Sequence, residues 1–376
     1  MIRTFILMLA VLFAVSFSAP FEAEYSPVRQ PRYNIFGQSK WVDSTLANMT
    51  LEQKIGQLFM VAAWSSPDKR NMRELDRLVR ENHIGGVIFF KGTPHEQAKM
   101  TNTLQAKSRI PLLVGIDGEW GLAMRLDSTI NYGYQMGLGA AADDSLVYRM
   151  AKEIALECKR LGIHINFAPV IDINNNPLNP VIHMRSFGED KKDVTNKALM
   201  YMRGMQDQRV LAVAKHFPGH GNTNVDSHHD LPVLYQSKAE LDTLELYPFK
   251  HLFLQGVGGV MTAHLHIPAY DSTPNLGASL SPVITTGLLR NKMNFKGLTF
   301  SDALNMKGVA KYYKPGEVEL AALLAGNDVL LYAEDVPRAA ALIKMAVDSG
   351  CISKAFIDEK VKRILQVKYW TGLSDC

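Results

Sequence analysis

The chain has 376 residues, 47% of them hydrophobic and 21% charged, with a formal net charge of +4. That composition excludes a disordered, collagenous or coiled-coil chain, and the length suffices for a core without disulfide or metal staples. So small a charge, with no lysine or arginine run, argues against nucleic acid as a partner.

At the N-terminus Arg3 precedes an apolar run over residues 5–17, which small residues at Ser16, Ser18 and Ala19 bring to an end. This order reads as a secretory signal peptide over 1–23, cleaved after Ala19 or Ala23, and the run is short for a bilayer span. The expectation is an exported protein, periplasmic or secreted, without stable membrane insertion after cleavage. No cysteine follows the run, so a lipid anchor is not expected. Residues 24–40 carry prolines without a clear period and read as a linker. The three cysteines, Cys158, Cys351 and Cys376, lack metal-ligand spacing. Cys158 is expected in a helix core, and a bridge between Cys351 and Cys376 stays open.

Across 41–376, short apolar runs alternate with helical periodicity. The runs are 58–63 (LFMVAA), 85–90 (GGVIFF), 111–117 (PLLVGID), 165–172 (INFAPVID), 211–217 (LAVAKHF), 259–265 (GVMTAHL), 297–302 (GLTFSD) and 328–333 (DVLLYA). Near-continuous apolar runs are what parallel strands covered on both faces require. Helix-like segments over 68–82, 145–161, 238–255 and 337–349 lie between them. Eight such alternations predict an α/β single domain, a (β/α)8 TIM-like barrel, with a doubly wound open sheet as the alternative. Asp117, Asp172, Lys215, His216, His264 and Asp302 all fall at or just past the C-terminal ends of runs, the face on which barrels assemble sites from several strands.

Four segments carry candidate chemistry. Residues 215–232 (KHFPGHGNTNVDSHHDLP) leave a run with Lys215 and His216, turn through glycines, and present Asp226 two residues before His228. A carboxylate that binds one imidazole nitrogen raises the ring's basicity and frees the other nitrogen to give and take a proton. The competing readings are a polar surface loop and a metal site built from His216, His220, His228, His229 and the His264-x-His266 pair. The metal reading is disfavoured because the segment holds no cysteine and no H-E-x-x-H. Residues 300–308 (FSDALNMKG) place Asp302 just after a run, suited to nucleophilic attack at a barrel mouth or to plain helix capping. Residues 115–125 (GIDGEWGLAMR) supply Asp117 and Arg125, and residues 184–190 (MRSFGED) supply Arg185.

Taken together, these segments resemble the bacterial β-N-acetylglucosaminidases of glycoside hydrolase family 3, from about residue 41 to the end. The signature K-H-F-P-G-H-G-x-T-x-x-D-S-H-x-x-L-P is met from Lys215 to Pro232. Asn222 stands where a common form of the family has Asp, and Trp120 replaces a glycine, a change expected at the pocket rim. The resemblance implies a (β/α)8 barrel and retaining removal of terminal β-linked N-acetylglucosamine. It implies Asp302 as nucleophile and His228, paired with Asp226, as acid/base. Asp117, Arg125, Arg185, Lys215 and His216 would bind the sugar. No cofactor and no metal are implied. The expected partner is a small carbohydrate such as an N-acetylglucosaminide or muropeptide, bound by a monomer. Rival readings are a family 3 β-glucosidase, a phosphate-using glycosidase, and a hexosaminidase using the substrate's acetamide with the pair Glu334–Asp335. From other classes come a metal-dependent amidohydrolase and a silent sugar-binding protein.

Overall fold

The computed structural model describes residues 30–36, 39–65, 69–226 and 230–375. The expected signal peptide lies outside the described residues, as do His228 and Cys376.

Eight parallel strands form the sheet: β1 (Phe59–Ser65), β2 (Gly86–Gly92), β3 (Leu113–Ile116), β4 (Ile165–Asn166), β5 (Leu211–Phe217), β6 (Gly259–Thr262), β7 (Leu298–Ser301) and β8 (Leu330–Leu331). All eight fall within or overlap the apolar runs of the sequence. The order runs from β7 down to β1 and then to β8. β1 pairs with β8 at Phe59↔Leu330, and a parallel bridge between Phe300 and Val329 joins β7 to the approach of β8. The Ser301 amide donates to the Val329 carbonyl at 3.0 Å across this seam. The sheet therefore curls into a nearly closed barrel, which removes the exposed edges of the open-sheet alternative.

Bulky and absent side chains interlock inside the barrel. The rings of Phe167 and Phe300 meet edge to face at 5.2 Å. Gly115 lies against this pair, and a Cβ there would sit 2.8 Å from the Phe167 ring. Outside, amphipathic helices cover the strands. The helix Ser145–Arg160 buries Val147, Met150, Ala151, Ile154, Ala155 and Cys158, a spacing that keeps one face on the core. Cys158 is a packing residue there, and burial pushes its thiol pKa up.

Two stretches differ from expectation. The helical pattern over 238–255 divides into Lys238–Thr243 and Leu246–Leu254. Pro248 lacks an amide donor and is tolerated only in a first helical turn, so a new helix starts just before it. Within the stretch read as a linker, Arg32–Phe36 form a short helix. Its Tyr33 is buried, with the hydroxyl donating to the Gly258 carbonyl at 3.0 Å and the ring 6.3 Å from Trp370. This segment packs under the N-terminal end of the strands, opposite the site.

Gly115→Ala should destabilise the fold by about 1–3 kcal/mol, because Phe167 is wedged against Phe300 and has no room to yield. Gly137→Ala, whose added Cβ meets nothing within 4 Å and lies in the helix Gln135–Gly139, should be neutral or stabilising. Denaturant unfolding of both variants checks this, and equal effects would contradict the packing account.

Candidate active site

The C-terminal ends of the strands converge on a cavity of about 520 Å³, within the usual range for small-molecule sites. Its polar wall comes from β3, β5 and the loops after β3 and β4. Lys215, at the end of β5, is buried and donates to Asp117 Oδ1 at 2.9 Å and to Glu119 Oε1 at 2.8 Å. Arg125 reaches the other oxygen of Asp117 at 2.7 Å. Arg185 grips Glu119 with two parallel bonds, Nε to Oε2 at 3.0 Å and Nη2 to Oε1 at 2.7 Å. Such a fork fixes direction as well as charge.

The network continues through His216. Its Nδ1 lies 2.7 Å from Asp172 Oδ2, and its Nε2 lies 3.3 Å from Arg185 Nη2. A carboxylate can only accept, so Nδ1 carries a proton and donates it to Asp172. Asp172 also accepts the amides of His216 at 3.2 Å and His220 at 2.7 Å, which anchors the start of the loop after β5. The peptide bond between Lys215 and His216 is cis.

Burial opposes ionisation of Asp117, Glu119 and Asp172, yet each carboxyl is held below its usual range. For Asp117 the neighbouring Lys215 and Arg125 outweigh the burial. For Glu119 it is Arg185 and Lys215, and for Asp172 the His216 ring and the loop amide of His220.

Asp302 lines the same cavity from the end of β7 and is partly exposed. Its amide donates to the Thr262 carbonyl at 2.9 Å, and its Oδ1 accepts the Ala303 amide at 2.8 Å. It caps no helix: the next one, Lys307–Ala310, is preceded by Met306 at its N-cap. Burial would raise the Asp302 pKa, but the imidazoles of His264 and His216 and the Ala303 amide together bring it below the ordinary value. His264 holds this corner in place, its Nε2 donating to the Ala303 carbonyl at 3.0 Å while Nδ1 meets Ser279 Oγ at 2.7 Å. Both ring nitrogens are thus engaged in positioning the residue that follows Asp302. His266, the other half of the H-x-H pair, has Nδ1 3.2 Å from the Leu276 carbonyl.

The structure thus gathers Asp117, Arg125, Arg185, Lys215, His216 and Asp302 around one cavity. Asp226 is half-buried, its carbonyl accepting from the Asp230 amide at 3.1 Å; the other member of the expected dyad, His228, lies outside the described residues. Asn222 is exposed. Trp120 does not line the cavity, contrary to the expected place at its rim; its ring packs against Tyr134 at 4.7 Å. Of the rival acid pair, Glu334 is exposed and Asp335 caps the helix Val336–Asp348 by accepting the Arg338 amide. Sequence reasoning passed over Glu119, though it stands two residues after Asp117. It noted Asp172 and His264 at strand ends without assigning them a place in the site.

Glu119→Gln should leave Lys215 and Arg185 short of an anion in a buried setting, at about 3–5 kcal/mol of stability. Because the folded-state pKa of Glu119 is depressed, its contribution is full above the ordinary carboxylate range and is lost as pH falls through and below that range. The stability gap between the native protein and the variant should therefore narrow below about pH 4. Unfolding free energies measured across pH check this; a gap independent of pH would contradict it.

Residues 50–367 match the family described as glycosyl hydrolase family 3 N terminal domain. Beta-hexosaminidase A of Pseudoalteromonas piscicida is 34% identical over 281 residues, which is 69% of this chain and 47% of that protein. A family 3 β-N-acetylglucosaminidase from Paenibacillus sp. str. FPU-7 superposes with a TM-score of 0.81 at 40% identity, over 87% of this chain and 64% of that one. The β-glucoside phosphorylase BglX superposes with a TM-score of 0.85 at 26% identity, over 93% of this chain and 64% of that one. The chain thus spans between about half and two thirds of the length of these relatives. With the family match covering most of its length, and the site built at the C-terminal face of the barrel, the chain belongs to glycosyl hydrolase family 3.

Proposed function

We propose that this protein is a retaining exo-β-N-acetylglucosaminidase. The observation that carries the reading is the single cavity in which an ionised carboxylate, Asp302, faces a wall of paired charges from Lys215, Asp117, Glu119 and Arg185. Fixed charged donors and acceptors of this kind suit the hydroxyl groups of one sugar ring. The hexosaminidase relatives support N-acetylglucosamine as that sugar.

In the proposed reaction the Asp302 carboxylate attacks the anomeric carbon and forms a C–O bond as the bond to the leaving oxygen breaks. Imidazolium His228, oriented by Asp226, gives that oxygen its proton. Neutral His228 then takes a proton from water, the water oxygen attacks the same carbon, and Asp302 leaves as carboxylate. Two displacements retain configuration. The spacing that separates retaining from inverting carboxylate pairs does not apply to a histidine acid/base. A depressed Asp302 pKa suits the nucleophile's role, since the group stays ionised while a histidine remains protonated.

The substrates we propose are peptidoglycan fragments or related glycans met after export. The charged start, the apolar run over 5–17 and the small residues after it support export. Among the described residues no helix is long and apolar enough to cross a membrane. Sequencing the N-terminus of the mature protein from fractionated cells tests this, and an intact N-terminus in the cytosol would refute it.

Asp302→Ala should abolish turnover of every β-N-acetylglucosaminide. His228→Ala should slow alkyl glycosides by about 10²–10⁴-fold but activated aryl glycosides far less, because a good leaving group needs little protonation. With alkyl glycosides, wild-type activity should fall as pH rises and a histidine acid loses its proton, and that limb should vanish in His228→Ala. Equal losses on both substrate types would refute the acid/base role. Comparing aryl N-acetylglucosaminide with aryl glucoside, each with and without phosphate, separates this reading from a glucosidase or phosphorylase.

A further inference from the structure

One wall of the cavity is aromatic. Trp64 at the end of β1, Phe90 in β2 and Tyr332 just after β8 come from three neighbouring strands. Their rings form a closed triangle, with centroids 6.2 Å apart for Trp64–Phe90, 6.0 Å for Trp64–Tyr332 and 5.7 Å for Phe90–Tyr332. Phe90 and Tyr332 line the cavity that holds Asp302, and Trp64 extends their surface outward at 37% exposure.

The backbone beneath these rings is irregular at each of the three strands. The β1–β2 register shifts between Trp64 and Ser65. Lys91 and Gly92, next to Phe90, have φ of 44° and 118°, and a Cβ at Gly92 would lie 2.0 Å from the Ser65 carbonyl oxygen. Tyr332 itself has φ of 57°, a conformation that bulky side chains rarely adopt. Such departures cost free energy and persist where they aim a side chain at a site. An aromatic group needed only for the core would be served by regular strand geometry.

Arg125 links this wall to the sugar-binding wall. Its guanidinium carbon lies 4.8 Å from the Phe90 ring centroid while its Nη2 holds Asp117. A sugar ring held among Asp117, Lys215 and Arg185 would therefore have the aromatic triangle at its flank, toward the mouth. Equatorially substituted pyranoses carry apolar C–H faces, and these bury well against aromatic rings.

We propose that Trp64, Phe90 and Tyr332 form the leaving-group subsite, a platform on which the second pyranose ring of the substrate stacks. This rests on the glycosidase reading above and adds to it that the protein prefers a sugar over a small alkyl group on the leaving side.

The test compares N,N′-diacetylchitobiose with methyl β-N-acetylglucosaminide. Their leaving alcohols are similar in chemistry, and only the first offers a ring to the platform. Trp64→Ala should lower kcat/KM for the disaccharide by about tenfold. The methyl glycoside should be unaffected, and Trp64→Phe should restore most of the loss. Trp64→Leu, which keeps an apolar side chain but removes the aromatic face, should show the same selectivity if Trp64→Ala folds poorly. Equal losses on both substrates, or no loss on the disaccharide, would overturn the platform while leaving the glycosidase reading intact. Failure of the wild-type protein to turn over either substrate would overturn the glycosidase reading, and the platform with it.

Discussion

A lysine ammonium buried at the mouth of a barrel is stable only if anions surround it, and Lys215 meets two, Asp117 at 2.9 Å and Glu119 at 2.8 Å. Those two carboxylates are themselves buried and need further cations, which Arg125 and Arg185 supply. Arg185 then leans on His216, and His216 on Asp172. Each group is tolerable because of the next, so the loops after β3, β4 and β5 are tied to one another. Removing a buried member such as Glu119 leaves its partners' charges uncompensated, and the network is therefore rigid as well as polar. That rigidity holds the hydrogen-bonding groups in place before a ligand arrives.

Asp302 is held by different means. It stands just past the end of β7, across the barrel from β3, and Lys215 and His216 help to hold its pKa down. Its own position comes from the β6–β7 seam: the Thr262 carbonyl takes its amide, and His264 fixes the carbonyl of the next residue. One oxygen of the carboxylate is occupied by the Ala303 amide, and the residue opens onto the cavity. A carboxylate that has one amide hydrogen bond and no ion pair among the described residues, set beside many paired charges, is suited to attacking an electron-poor carbon. The division of labour between a paired wall and a separately mounted carboxylate follows from assembling a site out of several barrel strands.

Most of the architecture was legible in the sequence because a parallel strand in a closed barrel is apolar on both sides. Runs such as GGVIFF and LAVAKHF therefore stand out without any alternation to decode. The polar residues that end these runs marked the site face for the same reason. What could not be read was partnership. Glu119 and Arg185 are 66 positions apart, and Lys215 is 98 from Asp117. Nothing local distinguishes Glu119, wholly buried in the fold, from an ordinary turn glutamate. His264 invited a metal reading because a histidine two residues from another is suggestive by spacing alone; its actual partners, Ser279 and the Ala303 carbonyl, are brought to it only by the fold. The break at Pro248 and the helix Arg32–Phe36 show the same limit, since Tyr33 is ordered by a carbonyl 225 residues away. The aromatic triangle escaped notice because its members sit on three strands, each unremarkable in its own run.

The central claim is that Asp302 forms a covalent bond to the sugar. Incubation with a fluorinated N-acetylglucosaminyl substrate that slows breakdown of the intermediate, followed by proteolysis and mass spectrometry, tests it directly. The account predicts a single labelled peptide carrying the sugar on Asp302. A label on any other residue, or turnover of the reagent with no covalent species at all, would contradict it.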